Sequence, residues 1–136
     1  MWIVKAYSDL LKSIEFDKPI DILELGCGTG YINRWLYKRY KVNKITLIDS
    51  NKKMLNIAKQ TLSDVSCKKE FIHKDFFNFE TDGKYDIVHS QGVIEHFEPQ
   101  DRHKLLTRHF SLTKPGGYCI VYSPTPTKFY LFFRME

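Results

Sequence analysis

The residues best suited to chemistry lie between Asp21 and Ile32, where an apolar segment ends in an acid and then in alternate glycines. Gly26, Gly28 and Gly30 are unfavourable inside a helix or strand, because glycine loses more backbone freedom on folding than any other residue. They suit a place where the backbone turns sharply and lies close to a ligand. This segment therefore predicts a buried strand that leads into a tight, ligand-binding turn.

The elements that must position these residues follow from hydrophobic periodicity. Apolar residues at helical spacing predict helices at 2–15, from the glycine turn to about 40, after Asn51, and from Pro99 to about 113. Short apolar runs predict strands at about 20–25, 44–49, 70–73, 85–90 and 118–123. The alternation predicts an α/β fold, a three-layer sandwich whose mostly parallel sheet has helices on both faces. Right-handed crossovers with the first strand in the centre give the order 3-2-1-4-5.

Further polar residues lie where a ligand of such a sheet binds, beyond the carboxyl ends of the strands at the reversal of strand order. Glu24 is at the end of the first predicted strand, Asp49 ends the second and Asp75 follows the third. Ser90 and Gln91 lie at the end of the fourth. We therefore expect these side chains to surround one crevice between the first and fourth strands.

The segment Glu24-Leu25-Gly26-Cys27-Gly28-Thr29-Gly30 resembles the first motif of the class I, Rossmann-like S-adenosylmethionine-dependent methyltransferases, which is an acid, one residue and then Gly-x-Gly-x-Gly. The resemblance covers about residues 18–123. It implies a Rossmann-like fold, S-adenosylmethionine as cofactor, S-adenosylhomocysteine as product, and methyl transfer. The dinucleotide fingerprint Gly-x-Gly-x-x-Gly fits less well, because the third glycine comes one residue early and Glu24 would repel a pyrophosphate.

The resemblance implies a role for each candidate residue. Glu24 would fix the methionine end, and Asp49 would accept both ribose hydroxyls. Asp75 and the N–H of Phe76 would hold the adenine, with Met54 as an apolar wall. Taken alone, Asp49 could also be a capping acid and Asp75 an ordinary loop acid. The predicted cofactor-binding set is completed by Gly26, Cys27, Gly28, Gly30, Ser50, Ser90 and Gln91, with Cys27 as a small filler and not a nucleophile.

Catalysis would depend chiefly on holding the methyl acceptor in line, an effect that can lower a barrier by about 7–11 kcal/mol. A general base is needed only for a protonated acceptor. His96, beyond the fourth strand, is the candidate, since an ordinary pKa of about 6.5 suits neutral pH. A packing role for His96 is the alternative. No metal is expected, because the other histidines lack metal-ligand spacing: His73, His89, His103 and His109.

The segment after the fourth strand also limits the acceptor. Enzymes of this class that methylate amino groups of nucleic-acid bases typically carry Asp/Asn/Ser-Pro-Pro-aromatic there, and cytosine-carbon enzymes carry Pro-Cys. The segment Ser90-Gln91-Gly92-Val93 has neither pattern. We therefore expect a small-molecule acceptor, with lipid or quinone-like molecules and proteins as alternatives.

The overall composition and charge exclude several classes of protein. Lys plus Arg number 21 and Asp plus Glu 16, and the net charge of +5 is spread over doublets. This favours an ordinary solvated surface over a nucleic-acid or anionic-lipid face. Three separated cysteines argue against a disulfide framework. With no apolar segment of about 18 residues and no secretion signal, we expect a cytoplasmic protein without a membrane span.

We expect one domain over residues 1–136, in which strands six and seven of the resembled family are missing. The fifth strand would then be an exposed edge, and the tail 129–133 is too apolar for a free end. Either the chain is a shortened form, or the tail covers this edge in a homodimer. Two functions remain open: a methyltransferase, or a cofactor-binding module that is incomplete or partner-dependent and does not turn over alone.

Overall fold

The computed structural model describes residues 2–124 and the backbone of residues 130–134. Its α-helices are α1 (Trp2–Leu11), α2 (Tyr31–Arg39), α3 (Lys52–Thr61) and α4 (Arg102–Leu112). Its strands are β1 (Ile20–Leu25), β2 (Val42–Asp49), β3 (Lys68–His73), β4 (Tyr85–Gln91), β5 (Thr113–Tyr122) and β6 (Tyr130–Arg134). Short 3-10 turns lie at Phe76–Asn78, Ile94–His96 and Pro99–Asp101.

These strands form one sheet in the order β3-β2-β1-β4-β5-β6. The pairs from β3 through β5 are all parallel, and β1 lies between β2 and β4. The predicted order 3-2-1-4-5 and the predicted α/β sandwich are confirmed. The reversal of strand order between β1 and β4 opens a crevice at the carboxyl ends of the strands, where ligands of such sheets bind.

The sheet is buried on both faces, as the near-continuous apolar strands require. On one face, Ile22 of β1 packs with Ile45 and Ile87 and with residues of α1, α2 and α3. On the other face, Leu23 packs with Leu112 of α4. Successive residues of β1 thus enter opposite layers, as the two-residue period of a strand dictates.

The N-terminus of α3 is capped by Asn51, as the sequence predicts. The side-chain oxygen of Asn51 accepts hydrogen bonds from the N–H groups of Lys53 at 2.9 Å and Met54 at 3.4 Å. This is the N-cap that satisfies the first donors of a helix, which have no partner within it. The predicted capping role of Asn51 is confirmed, and it fixes α3 directly after Asp49.

Two predicted boundaries differ most from the structure. The first helix ends at Leu11 and not near residue 15. The fifth strand begins at Thr113, so Pro115-Gly116-Gly117 lies within it as an irregularity, where the register to β4 shifts. Gly116 has φ of 77°, a left-handed conformation that favours glycine. A Cβ on Gly117 would lie 2.8 Å from the carbonyl oxygen of Asp86, so the bulge brings the backbones close together.

The expectation of an exposed β5 edge was also wrong. Strand β6 pairs antiparallel with β5 over Tyr118–Tyr122 and Tyr130–Arg134, so a strand of the same chain covers this edge. The first residue of the predicted apolar tail, Phe129, lies outside the described residues. The argument for a homodimer rested on an open edge, and the pairing removes that support.

Along the part of the chain that the structure describes, none of the helices has the length and apolar character needed to cross a bilayer.

Candidate active site

A cleft of about 610 Å³ lies at the carboxyl ends of the strands. It is lined by nine of the predicted site residues: Gly26, Gly28, Asp49, Ser50, Met54, Asp75, Phe76, Gln91 and His96. The other four predicted residues are buried outside its lining: Glu24, Cys27, Gly30 and Ser90. The structure thus brings most of the candidates to one cleft, with the remainder behind it.

The glycine turn shapes one wall of this cleft. Gly26, Gly28 and Gly30 have φ of 71°, 52° and 70°, all in the left-handed region. A Cβ on Gly26 would lie 2.8 Å from Cγ2 of Val93, and one on Gly30 would lie 3.2 Å from Cβ of Ala58. At Gly28 no described atom lies within 4 Å of that position. A side chain at Gly26 would therefore clash with Val93 and one at Gly30 would be tightly packed, while Gly28 presents bare backbone to open space.

Asp49 joins the end of β2 to this turn. Its Oδ2 accepts a hydrogen bond from the N–H of Gly28 at 2.9 Å, and its Oδ1 accepts from the N–H of Asn51 at 2.8 Å. A carboxylate oxygen can accept two hydrogen bonds, so each oxygen keeps capacity for a further donor. Asp49 can therefore hold the turn and accept from a ligand in the cleft at the same time.

Glu24 lies behind the cleft in a buried polar cluster. Asn33 Nδ2 donates to its Oε2, and Gln91 Nε2 donates to its Oε1 at 3.2 Å. Burial and, to a smaller extent, the nearby charge of Asp49 raise the pKa of this carboxyl to about 8, against the lowering effect of these two hydrogen bonds. Gln91 lines the cleft. Glu24 therefore affects a ligand there in two ways: it orients the Gln91 amide, and it contributes the electrostatic field of its carboxyl group.

The buried cluster continues to α1. His89 Nε2 lies 3.2 Å from Asn33 Oδ1, and His89 Nδ1 lies 3.0 Å from the hydroxyl of Tyr7. Burial lowers the pKa of His89 to about 3, so the imidazole is neutral at pH 7. Since a carbonyl oxygen only accepts, Nε2 carries the proton and Nδ1 accepts from Tyr7.

The opposite end of the cleft is more open. Asp75 is exposed, and its Oδ1 accepts from the N–H of Phe77 at 2.9 Å at the start of a 3-10 turn. Phe76, Phe77 and Phe97 form an aromatic cluster with ring centroids 4.8–6.3 Å apart. All three rings line the cleft, together with Met54. This end therefore combines an acceptor carboxylate with flat apolar walls.

Ser90 is placed differently from its prediction. Its side chain is fully buried, and its hydroxyl lies 2.9 Å from Nε2 of His109 on α4. His109 Nδ1 donates to the carbonyl oxygen of Leu105 at 2.7 Å, so Nε2 accepts from the hydroxyl. Ser90 thus ties β4 to α4, on the face of the sheet away from His89. Its side chain does not line the cleft, and the expected cofactor contact from it has no support.

His96 lines the cleft from the turn Ile94–His96, and its side chain is exposed. Cys27 is fully buried within the core of α1, α2 and α3, and burial raises the pKa of its thiol. A thiol is nucleophilic only as the thiolate, so this environment disfavours a nucleophile and agrees with a filler.

A second, smaller cleft of about 280 Å³ adjoins the first. The two share Gly26, Gly28, Gln91 and Gly92. The smaller one is completed by Ile3 of α1, Cys27, Thr29, Tyr122 and Pro124, without a charged side chain among the described lining residues. The shared residues place the glycine turn and the end of β4 between two compartments.

Some of these residues escaped the sequence-based prediction. They include Lys74, Phe77, Val93 and Phe97 in the cleft, and Tyr7, Asn33 and His89 behind it. Register could have revealed His89, because it is the parallel partner of Glu24 and parallel partners share a face. Asn33 could have been suspected as a polar residue on the otherwise apolar inner side of α2.

A family model described as a methyltransferase domain matches residues 22–117. The chain belongs to this methyltransferase family, and the resemblance to class I S-adenosylmethionine-dependent methyltransferases is confirmed.

Two curated relatives show how much of such proteins the chain represents. Malonyl-[acyl-carrier protein] O-methyltransferase 1 of Ilyobacter polytropus is 36% identical over 100 residues, which are 74% of this chain and 36% of that protein. Trans-aconitate 2-methyltransferase of Enterobacter sp. (strain 638) is 31% identical over 117 residues, 86% of this chain and 44% of that protein. The chain therefore spans less than half the length of these relatives.

Solved structures share the fold. The N-methyltransferase NodS of Bradyrhizobium japonicum WM9, in complex with S-adenosylhomocysteine, matches with a TM-score of 0.70 and 19% identity, over 86% of this chain and 57% of NodS. Magnesium protoporphyrin IX methyltransferase of Synechocystis PCC 6803, with bound S-adenosylmethionine, matches with a TM-score of 0.73 and 20% identity, over 88% of this chain and 56% of that one.

Proposed function

We propose that this chain is the cofactor-binding domain of an S-adenosylmethionine-dependent methyltransferase, and that the larger cleft holds the cofactor. The observation that carries the proposal is the meeting of the glycine turn with Asp49 and Gln91 at the reversal of strand order. The site fits such a group, because Gly28 faces open space and Asp49 keeps acceptor capacity beside it.

At the nucleoside end, the polar and apolar groups match a ribose and an adenine. Asp49 would accept hydrogen bonds from the ribose hydroxyls, and Ser50 lies next to it in the lining. Asp75 would accept from the exocyclic amine, and the backbone N–H of Phe76 would donate to a ring nitrogen. Met54 and the aromatic cluster supply flat apolar walls.

At the methionine end, the chain offers Gln91 with Glu24 behind it. Because Gln91 Nε2 donates to Glu24, the amide carbonyl is the group left to accept from a ligand ammonium. A cationic ligand would also favour the ionised form of Glu24, whose pKa burial otherwise raises to about 8. The buried acid therefore selects for a positively charged end.

When bound, S-adenosylmethionine would supply a methyl group on an already activated leaving group. The protein's own task is then to orient the acceptor and exclude water. His96 lies in the lining, where an exposed imidazole could take a proton from a hydroxyl, amine or carbon acid. The smaller cleft beside the glycine turn is the place where an acceptor would lie.

The acceptor we propose is a small molecule. The smaller cleft has a volume of about 280 Å³ and no charged lining among its described residues. The two relatives are named for malonyl-[acyl-carrier protein] and trans-aconitate, which supports a small acyl or acid group. Nucleic acid is disfavoured because the basic residues are dispersed. A cytoplasmic location fits three cysteines that remain thiols.

Calorimetric titration with S-adenosylmethionine and S-adenosylhomocysteine tests the proposal. We expect both to bind, and transfer of labelled methyl groups to a panel of small organic acids, amines and phenols. An absence of binding would contradict the cofactor assignment. Binding without transfer to any acceptor would favour the alternative of a module that depends on further sequence or on a partner. That alternative has a concrete basis, because the chain spans less than half the length of these relatives.

A further inference from the structure

A line of four buried polar side chains runs from α1 to the floor of the cleft. Tyr7 of α1, His89 of β4, Asn33 of α2 and Glu24 of β1 are each fully buried. They come from four elements, and the contact between Tyr7 and His89 joins positions 82 residues apart. Polar groups this deep destabilise a fold unless each finds a partner, so their arrangement is highly constrained.

Within this line, each hydrogen bond is donated towards Glu24. The hydroxyl of Tyr7 donates to Nδ1 of His89, and Nε2 of His89 donates to Oδ1 of Asn33. The amide nitrogen of Asn33 then donates to Oε2 of Glu24. Because His89 and Asn33 each both donate and accept, reversing either group breaks the bonds to its neighbours. The Asn33 carbonyl thus fixes the tautomer of His89, and the hydroxyl of Tyr7 holds the imidazole in place by donating to its other nitrogen.

The line reaches the cleft through Gln91. Glu24 accepts from Asn33 on one oxygen and from Gln91 on the other, so the carboxyl group couples the two amides. With its nitrogen held by Glu24, Gln91 offers a carbonyl oxygen to a ligand. The orientation that suits an ammonium group is therefore set, step by step, from α1.

Helix α1 also touches the ligand compartment directly. Ile3, one turn before Tyr7, lines the smaller cleft together with the glycine turn. Movement of α1 would open this compartment and would withdraw the Tyr7 hydroxyl from His89. Both changes act on the same end of the site.

We infer that Tyr7, His89 and Asn33 are positioning residues for the methionine end of the cofactor, and that through them the docking of α1 and cofactor binding stabilise each other. The inference rests on the proposed function. Such coupling is reciprocal, so a ligand that binds better with α1 docked must hold α1 more firmly in place.

The test measures S-adenosylhomocysteine affinity and the hydrogen exchange of α1 amides, with and without ligand. In the unaltered chain, saturating ligand should slow α1 exchange by at least about fivefold. Tyr7→Phe should weaken binding about fivefold to tenfold, the scale of one buried hydrogen bond. Its α1 exchange should respond to ligand by less than about twofold.

Tyr40→Phe is the matched control. Its hydroxyl is also buried and also holds the end of α1, by donating to the carbonyl oxygens of Leu11 and Ile14 at 3.3 and 3.1 Å. It has no hydrogen bond to the line that ends at Glu24. A merely structural effect would appear equally in both variants. We expect Tyr40→Phe to keep affinity within about twofold and to keep ligand protection of α1.

His89→Gln provides a second variant. A glutamine amide can still donate to Asn33, but it places no acceptor at the position of Nδ1 for Tyr7. Affinity should fall about fivefold to tenfold, as in Tyr7→Phe, and ligand protection of α1 should be lost, because the same hydrogen bond is removed from its other side. If Tyr7→Phe and His89→Gln both retain affinity and protection, the inference is wrong although the proposed function stands. If the unaltered chain fails to bind, the proposed function itself is wrong.

Discussion

The two ends of the cleft use acids in opposite ways. At one end, Glu24 is fully buried, held by two side-chain amides, and burial raises its pKa to about 8. At the other end, Asp49 is half-buried and Asp75 is exposed, and both accept from backbone N–H groups of turns. Acidic side chains thus suit a charged group of the ligand at one end and hydrogen-bond donors of the ligand at the other.

The difference indicates which ligand groups each end recognises. A buried carboxyl is ionised at a cost, so it favours a ligand that brings a positive charge. The more exposed acids at the other end contribute through the number and direction of the hydrogen bonds that they accept. A ligand with an ammonium at one end and hydroxyl and amine donors at the other satisfies both.

The largest effect is expected for Asp49→Ala. This change removes the acceptor for the ribose and also the anchor of the Gly28 N–H. S-adenosylhomocysteine affinity should fall by about 1.5–3 kcal/mol, the range for hydrogen bonds to a charged group. Asp64→Ala removes a surface acid that pairs with Arg34 outside the cleft and serves as control. Equal affinities in the two variants, with intact folds, would refute the ribose assignment.

A smaller loss is expected for Glu24→Gln, about tenfold in affinity, since the shape remains while the charge and one of the two oxygens that accept from Asn33 and Gln91 are removed. The same change should alter the pH dependence of stability. The pKa of Glu24 is about 8 in the folded chain and 4.5 without burial, so the folded state binds the extra proton between these values. Its contribution to stability is complete below pH 4.5 and is lost as pH rises through 8.

Denaturant unfolding between pH 6.5 and 9 measures this contribution. The pKa of His89 is about 3 when folded against 6.5 without burial, so its own contribution is lost only on the acid side. The unaltered chain should lose stability over this alkaline range relative to Glu24→Gln. Parallel stability curves for the two proteins would show that the buried acid is not the cause.

Asp75→Ala should have a weaker effect at the exposed end, about threefold to tenfold in affinity, because solvent competes for its hydrogen bonds. Asp82→Ala, which alters another exposed acid outside the cleft, is the control. A loss larger than that of Asp49→Ala would reverse the ranking and show that adenine recognition dominates the open end.

Ser90→Ala should leave affinity unchanged and lower the free energy of unfolding by about 1 kcal/mol, since Nε2 of His109 would lose its donor. Titration and denaturant unfolding on the same samples separate the two quantities. A clear loss of affinity with unchanged stability would place Ser90 at the cofactor after all.

Short-range features of the sequence were enough to predict the fold and the residues at the open end of the cleft. The glycine turn, the strand-end acids and the Asn51 cap are short-range features, and the apolar runs defined the strands from which the order 3-2-1-4-5 followed. The segment Pro115-Gly116-Gly117 by itself predicts a break, whereas the structure has an irregularity within β5, because a bulge depends on the neighbouring strand and not on the segment itself.

The buried end was not predictable in the same way. The partners of Glu24 are 9 and 67 residues away in the sequence, and Tyr7 is 82 residues from His89, so no local spacing reveals them. The position of Ser90 outside the cleft lining was not predictable either, because neighbouring residues of β4 face opposite layers and only register shows which ones face α4. Tertiary contacts determine this half of the site.

The central claim is that the cleft binds a ligand ammonium group near a buried acid, and that binding displaces the proton of this acid. Calorimetric titration of S-adenosylhomocysteine at pH 7, in buffers of different ionisation enthalpy, measures this proton directly. Since the pKa of Glu24 is about 8 before binding, the chain should release up to about one more proton than Glu24→Gln does. Binding of the unaltered chain with the same proton release as Glu24→Gln would contradict the account.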